Sequence, residues 1–254
     1  MKSLCTAFLM YSKIPVPRVE WCEKNRRWAL GFFPLVGAVA GGVLLLWRYL
    51  CSTFEVGQVL FAAVAVAIPI AVTGGIHMDG FCDVTDAKCS YGDREKKLDI
   101  MKDPHIGSFA VIYACLYFLL QFGAFTQVKT FRETVIIAVG YVLSRALSGL
   151  SAVTFRSAKS SGSLYTFTTA ADRKVTVGME IFFIVLANGT MMSMSVPVGA
   201  WGVFGAVAAL MFYKLSAYKN FGGITGDVCG WFVQICELWV LLGAVAGERL
   251  LKVM

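Results

Sequence analysis

Long apolar runs alternate with short polar stretches along this chain. Seven runs approach the roughly 20 residues that an α-helix needs to cross a bilayer. They lie at about 31–50, 56–75, 107–127, 134–153, 177–195, 198–213 and 229–247. The sixth is the shortest, at 16 residues. The second contains Pro69, which neighbouring helices accommodate inside a membrane. Residues 1–13 predict a short interfacial helix, broken by prolines at 15 and 17. Residues 93–103, DREKKLDIMKD, predict an amphipathic helix that lies on a membrane surface. The expected fold is all-α: a polytopic integral membrane helical bundle of about seven transmembrane helices. It forms one domain over 1–254, with 1–30 as a cytoplasmic or interfacial N-terminal segment.

Composition agrees with this pattern. Of 254 residues, 57% are hydrophobic and 15% charged, against about 45–50% and 25% in soluble domains. The first 12 residues are too short to span, and no small-residue cleavage site follows them, so they do not read as a leader. Eight cysteines show no C-x2-C pair and read as reduced, small apolar residues. The net charge of +7 does not imply nucleic acid, because no soluble basic surface with exposed aromatics accompanies it. The charge instead sets topology. With the N-terminus in the cytoplasm, 17 Lys and Arg fall in cytoplasmic segments and five outside, with Arg145 inside a span. The positive-inside rule therefore predicts N-in, C-out. That places 74–108, 154–176 and 214–228 on the cytoplasmic side, where the candidate chemistry gathers.

Asp79, Asp83 and Asp86 share one face if their segment is helical, with Asp83 and Asp86 both within about 40° of Asp79. Such a face needs a cation or a basic partner. Oxygen ligands at this spacing suit Mg²⁺, which keeps several waters and is completed by substrate phosphates; the plainer reading is a solvated helix start. His77 lies about 160° from Asp79; it orients a substrate or simply packs. Arg94, Lys97 and Lys102 either anchor the surface helix or contact phosphate. Arg145, inside an apolar run, is expected to face a polar cavity and pair with a phosphate or an aspartate, or else to snorkel. The turn GGITGD, with Gly223, Thr225, Gly226 and Asp227, leads into the last span and resembles an anion site at a helix start. Thr225 or Asp227 caps that helix. Gln234 lies near the Asp227 face, and Glu237 is an acid well inside the span, so it faces the interior.

Several runs together resemble the cobalamin synthase (adenosylcobinamide-GDP ribazoletransferase) family. They are TGGIHMDGFCDVTD (73–86), DREKKLDIMKDPHIG (93–107), KIPVP (13–17), FFPLVG (32–37), the Ser144-Arg145 pair and GGITGDVCG (222–230). The motifs stand in family order and cover essentially the whole chain. The resemblance implies a multi-pass enzyme of a bacterial or archaeal cytoplasmic (inner) membrane, with Mg²⁺ as cofactor. It would join adenosylcobinamide-GDP to α-ribazole or its 5′-phosphate and release GMP. It matches the family's H-x-D-G-x2-D-x2-D at His77, Asp79, Gly80, Asp83 and Asp86, and its T-G-D at Thr225, Gly226 and Asp227. Asp79, Asp83 and Asp86 would hold the metal, and one of them or Asp227 would take the proton. Substrate would meet His77, Arg94, Lys97, Lys102, Arg145, Gly223, Thr225, Gly226 and Glu237. Ala87, Trp231 and Gln234 depart from the family pattern, which leaves the role of the last helix open.

Two other classes use similar parts. A CDP-alcohol phosphotransferase also clusters aspartates on membrane helices, but its D-G-x2-A-R run is missing: Phe81, Cys82, Asp83 and Val84 follow Gly80. A carboxylate-lined transporter would place its acids near the midplane, between repeats; here they gather at helix ends and no repeat is visible. Partners beyond the substrates and membrane lipid, whether a second copy or other enzymes of late cobalamin assembly, stay open.

Overall fold

The computed structural model describes residues 1–253. Twelve α-helices are present among them: α1 (Lys2–Tyr11), α2 (Glu23–Arg26), α3 (Phe33–Thr53), α4 (Gln58–Thr73), α5 (Ile76–Cys89), α6 (Arg94–Ile100), α7 (Ser108–Phe125), α8 (Phe131–Thr154), α9 (Ser163–Ala170), α10 (Arg173–Met194), α11 (Val196–Phe221) and α12 (Gly226–Val253). No strand occurs among the described residues beyond one isolated bridge. The all-α bundle expected from the apolar runs is what forms. Six segments, ending in or made of α3, α7, α8, α10, α11 and α12, are long and apolar enough to cross a membrane.

The second predicted span differs. The run at 56–75 becomes α4, which stops at Gly74 and Gly75. Both have left-handed φ, 67° and 83°, a conformation that residues with a Cβ rarely adopt. The chain then turns by 96° into α5, and the two helices count as a seventh span only when taken together. With three aspartates and Lys88 in 14 residues, α5 is the polar arm of this broken pair. The predicted sixth span also needs correction. The run at 198–213 is the middle of a 26-residue helix, α11, which continues through Lys214 and Lys219 to a left-handed Gly222. Long cationic side chains reach sideways from a helix without breaking it.

The core sits around α8 and α12. Of their most apolar 18-residue stretches, 78% and 72% of residues are buried, against 22% for α10 and 28% for α7, which face outward. The start of α8 is fixed by a capping box between Thr130 and Glu133. Small residues bring α11 and α12 into backbone contact. A side chain at Gly205 would strike the Trp239 carbonyl, and one at Gly243 the Trp201 carbonyl. Such seams carry helix association where lipid and side chain are equally apolar.

Because successive spans alternate in direction, residues 1–32, 74–107, 155–172 and 222–225 all lie at one end of the bundle. Their short elements interlock there. Residues 156–158 bridge the glycine turn through Ala158 N–H to Ile224 O (2.8 Å) and Ile224 N–H to Arg156 O (2.9 Å).

Candidate functional site

The site begins at the bend after α4. Asp79 is in the first turn of α5, where the helix dipole favours a negative charge. Asp83 follows one turn later on the same face. Opposite them stands the N-terminal turn of α12. A Cβ on Gly80 would lie 2.7 Å from the Asp227 carbonyl oxygen, and one on Gly230 would lie 3.3 Å from the His77 Cα. The two glycines thus let α5 and α12 run antiparallel with their backbones almost touching. Asp227 comes to the aspartate face by this approach. Thr225 caps α12, its hydroxyl accepting from the Val228 N–H at 3.2 Å, which leaves the Asp227 carboxylate with only a long contact from the Thr225 hydroxyl, 3.4 Å.

Asp79, Asp83 and Asp227 appear in no ion pair among the described residues. Asp79 is exposed, and Asp83 and Asp227 are half-buried. Three carboxylates left without cations repel one another, and a cation between them relieves that. No three His, Cys, Asp or Glu side chains among the described residues converge closely enough to enclose a metal unaided. Mg²⁺ does not require such a cage, since waters and phosphate oxygens complete its shell. The donor chemistry of Asp79 and Asp83, with Asp227 across Gly80, fits that kind of site.

Asp86, the third member of the motif, is placed differently. Its two oxygens accept from the Gly107 N–H (2.6 Å) and the Ala110 N–H (2.9 Å) at the start of α7. It closes a helix N-terminus instead of standing free beside Asp83.

The predicted basic residues also lie elsewhere. Arg145 is fully buried and donates to Glu237 at 2.5 Å and to the Tyr141 carbonyl at 2.9 Å. The two residues expected to contact substrate therefore hold each other, joining α8 to α12 inside the bundle. Arg94 donates to the Tyr218 carbonyl (3.3 Å) and Lys97 to the Asn220 side chain (2.8 Å), so they dock α6 on the end of α11. Lys102 is exposed and paired with Asp99 at 2.7 Å, which holds the Asp99 carboxyl below its ordinary value. Gln234 accepts from the Tyr117 hydroxyl at 2.6 Å, one helix layer away from the aspartates. Gly223 packs under the Arg156 carbonyl, which places the 222–227 turn beneath the 156–158 segment.

Three further residues belong to the neighbourhood. Lys159 lines a small cavity with Ser161, Ser163, Thr225 and Asp227 at the start of α12. Its signal in the sequence was a polar loop, FRSAKSSGS, in a predicted cytoplasmic segment. Lys13 packs against Gly74 and lines an open groove of about 550 Å³ together with Asp79. Glu180 is fully buried on α10, and neither of its oxygens has a partner. It sits behind Gly149, where any side chain would strike it. An acid inside the apolar run VGMEIFF was the available signal.

His77 is 4% exposed and neither ring nitrogen has a hydrogen-bond partner. Its ring lies 5.5 Å from that of Phe33. As its helical angle foretold, it is off the aspartate face, yet it lines an enclosed cavity that Asp79 and Asp227 also reach.

Residues 3–245 match the family described as cobalamin-5-phosphate synthase. An adenosylcobinamide-GDP ribazoletransferase of Lachnoclostridium phytofermentans is 47% identical over 249 residues, 98% of this chain and 95% of the relative. Proteins of the same description from Geobacillus sp. and Clostridium botulinum are 32% and 31% identical. The Geobacillus match covers 94% of this chain and 95% of the relative, and the Clostridium match 96% of each. No solved structure matches. The motifs that lie together at one end of this bundle are thus part of a likeness that runs along nearly the whole chain, and the chain belongs to the cobalamin-5-phosphate synthase family.

Proposed function

We propose that the protein transfers the cobinamide-phosphate part of adenosylcobinamide-GDP to α-ribazole or its 5′-phosphate, releasing GMP, at the cytoplasmic face of a prokaryotic cytoplasmic membrane. The observation that carries this reading is the carboxylate face of α5 brought close to Asp227 by the missing side chain of Gly80. The orientation rests on the 17-to-5 distribution of basic residues, which puts this end of the bundle inside.

In the proposed reaction a ribose hydroxyl of the acceptor attacks the phosphorus that bears the cobinamide arm. An O–P bond forms, the P–O bond to GMP breaks, and the hydroxyl proton passes to Asp227. Such transfers depend mainly on positioning and charge neutralisation. Mg²⁺ held by Asp79 and Asp83 would supply the charge that stabilises the diphosphate oxygens. Lys159 neutralises non-bridging oxygens on the Asp227 side, and the 222–227 turn holds the start of α12 toward the anion. Asp86 serves by fixing α5 to α7, which sets where Asp79 and Asp83 point.

The test is incubation of the purified, reconstituted protein with labelled adenosylcobinamide-GDP, ribazole phosphate and Mg²⁺. GMP release that needs both substrates and is lost on chelation is the expected result. Turnover that is indifferent to chelation, or undiminished in Asp79→Asn, would sink the metal assignment.

A further inference from the structure

We infer that the enclosed cavity between α1, α3, α5, α8 and α12 is the seat of the acceptor's flat heteroaromatic base, with His77 as its polar contact. This rests on the transferase reading above and names the part of the substrate that the cavity takes.

The cavity measures about 100 Å³, several times the roughly 10–15 Å³ that a single water needs. One wall is aromatic: Tyr11 and Phe33 lie 4.3 Å apart, and the Phe33 ring faces His77. Leu30 and Ala152 close the apolar sides. A buried imidazole with neither nitrogen satisfied is costly, and such cost is tolerated where a ligand supplies the missing partner. Neutral His77 offers one N–H donor, from which the free ring nitrogen of a ribosylated planar base can accept. Ser148, Ser163, Asp79 and Asp227 also line the cavity, and aromatic and apolar walls with a few convergent polar groups are the attributes of a pocket for a small aromatic ligand.

The placement also separates the two substrates. Asp79 lies at the junction of this cavity with the open groove beside Lys13. The corrinoid-bearing donor is far too large for the enclosed side and must approach from open space. A base seated by His77 leaves its ribose at the Asp79 and Asp227 mouth, where the hydroxyl has to be for in-line attack. His77 is thus a positioning and specificity residue and takes no proton in the reaction.

The experiment is equilibrium dialysis of the detergent-solubilised full chain with a radiolabelled benzimidazole ribonucleoside 5′-phosphate, for wild type, His77→Phe and Ala152→Phe. Binding of GDP with Mg²⁺ and the Tm are read in parallel. Wild type is expected to bind the nucleotide. His77→Phe is expected to weaken it tenfold or more with Tm unchanged or raised, because no protein hydrogen bond is lost. Ala152→Phe, which fills the cavity, is expected to abolish it while GDP binding changes less than twofold. His77→Phe carries the test if the larger side chain unfolds the protein. The inference is overturned if wild type fails to bind the nucleotide, or if His77→Phe binds it within twofold of wild type. Wild type that binds the nucleotide yet releases no GMP from the two substrates would overturn the reaction and leave the pocket standing. Normal turnover with binding indifferent to His77→Phe would do the reverse.

Discussion

Two groups of charges lie on the same helix, ten residues apart, and are treated in opposite ways. Asp227, at the start of α12, faces Asp79 and Asp83, and none of the three is in an ion pair with a basic side chain among the described residues. Glu237, further along α12, is sealed in the bundle against Arg145, both side chains being 0% exposed. An unpaired set at a solvent-reached cavity stores an affinity for an outside cation or phosphate. A paired set in the apolar interior stores only mutual dependence, because each charge is tolerable solely through the other.

The comparison can be broken most forcefully at the sealed pair. Arg145→Ala leaves an uncompensated buried carboxylate and is expected to destabilise by about 3–5 kcal/mol. The loss should be read as a lowered Tm and poor recovery from membranes. The double change Arg145→Met with Glu237→Leu should restore most of the Tm. A double variant as unstable as the single one would show that the pair does more than satisfy itself.

At the open set the expected outcome is reversed. Asp79→Asn should lower turnover by about 10²-fold or more, with Tm unchanged or raised, since removing one of several like charges relieves repulsion. A fall in Tm would mean that these carboxylates are structural after all. Gly80→Ala sharpens the point without touching a charge. Its methyl would meet the Asp227 backbone at 2.7 Å and push α5 away from α12. A displacement approaching 1 Å is expected to cost about 10² in turnover, with Mg²⁺-dependent binding weakened in step.

Asp86 stands between the two groups: an acid of the motif with its oxygens already used. Asp86→Ala is expected to lose about 1–2 kcal/mol of stability from its two amide contacts, seen in Tm and in faster amide exchange at Gly107 and Ala110. The smallest effect belongs to the surface pair of Arg27 and Asp172, 2.8 Å apart. The Arg27 guanidinium, with the Val175 N–H, holds the Asp172 carboxyl below its ordinary value. Its contribution is therefore present above the usual carboxylate pKa of about 3.9 and lost as pH falls through the depressed value. The Tm difference between wild type and Arg27→Ala should stay level from pH 7 to 5 and shrink below about pH 4.

The two groups were not equally legible in the sequence. The D-x3-D-x2-D spacing placed Asp79 and Asp83 on one face because helical geometry is local. The apolar runs located most of the spans for the same reason. The pairing of Arg145 with Glu237 spans 92 residues and depends on which helices become neighbours, which no run length records. Asp86 looked equivalent to its two companions, and only the path of the 90–107 loop, returning amides to it from α7, tells them apart. Lys159 was one of several loop cations until the bridge to Ile224 placed it beside Asp227. The end of α11 lies beyond the apolar run at 198–213, because a run of apolar residues marks the part of a helix that crosses lipid and not where the helix stops.

The near-contact of α5 with α12 has a consequence for how the protein is made. The acidic arm emerges from the ribosome well before α12, the helix that holds it. A polypeptide ending before residue 226 would carry six of the seven spans and the whole aspartate motif, and still lack the wall that Asp227 stands on. The carboxylate face is completed in one step, when α12 is made and docks against α5.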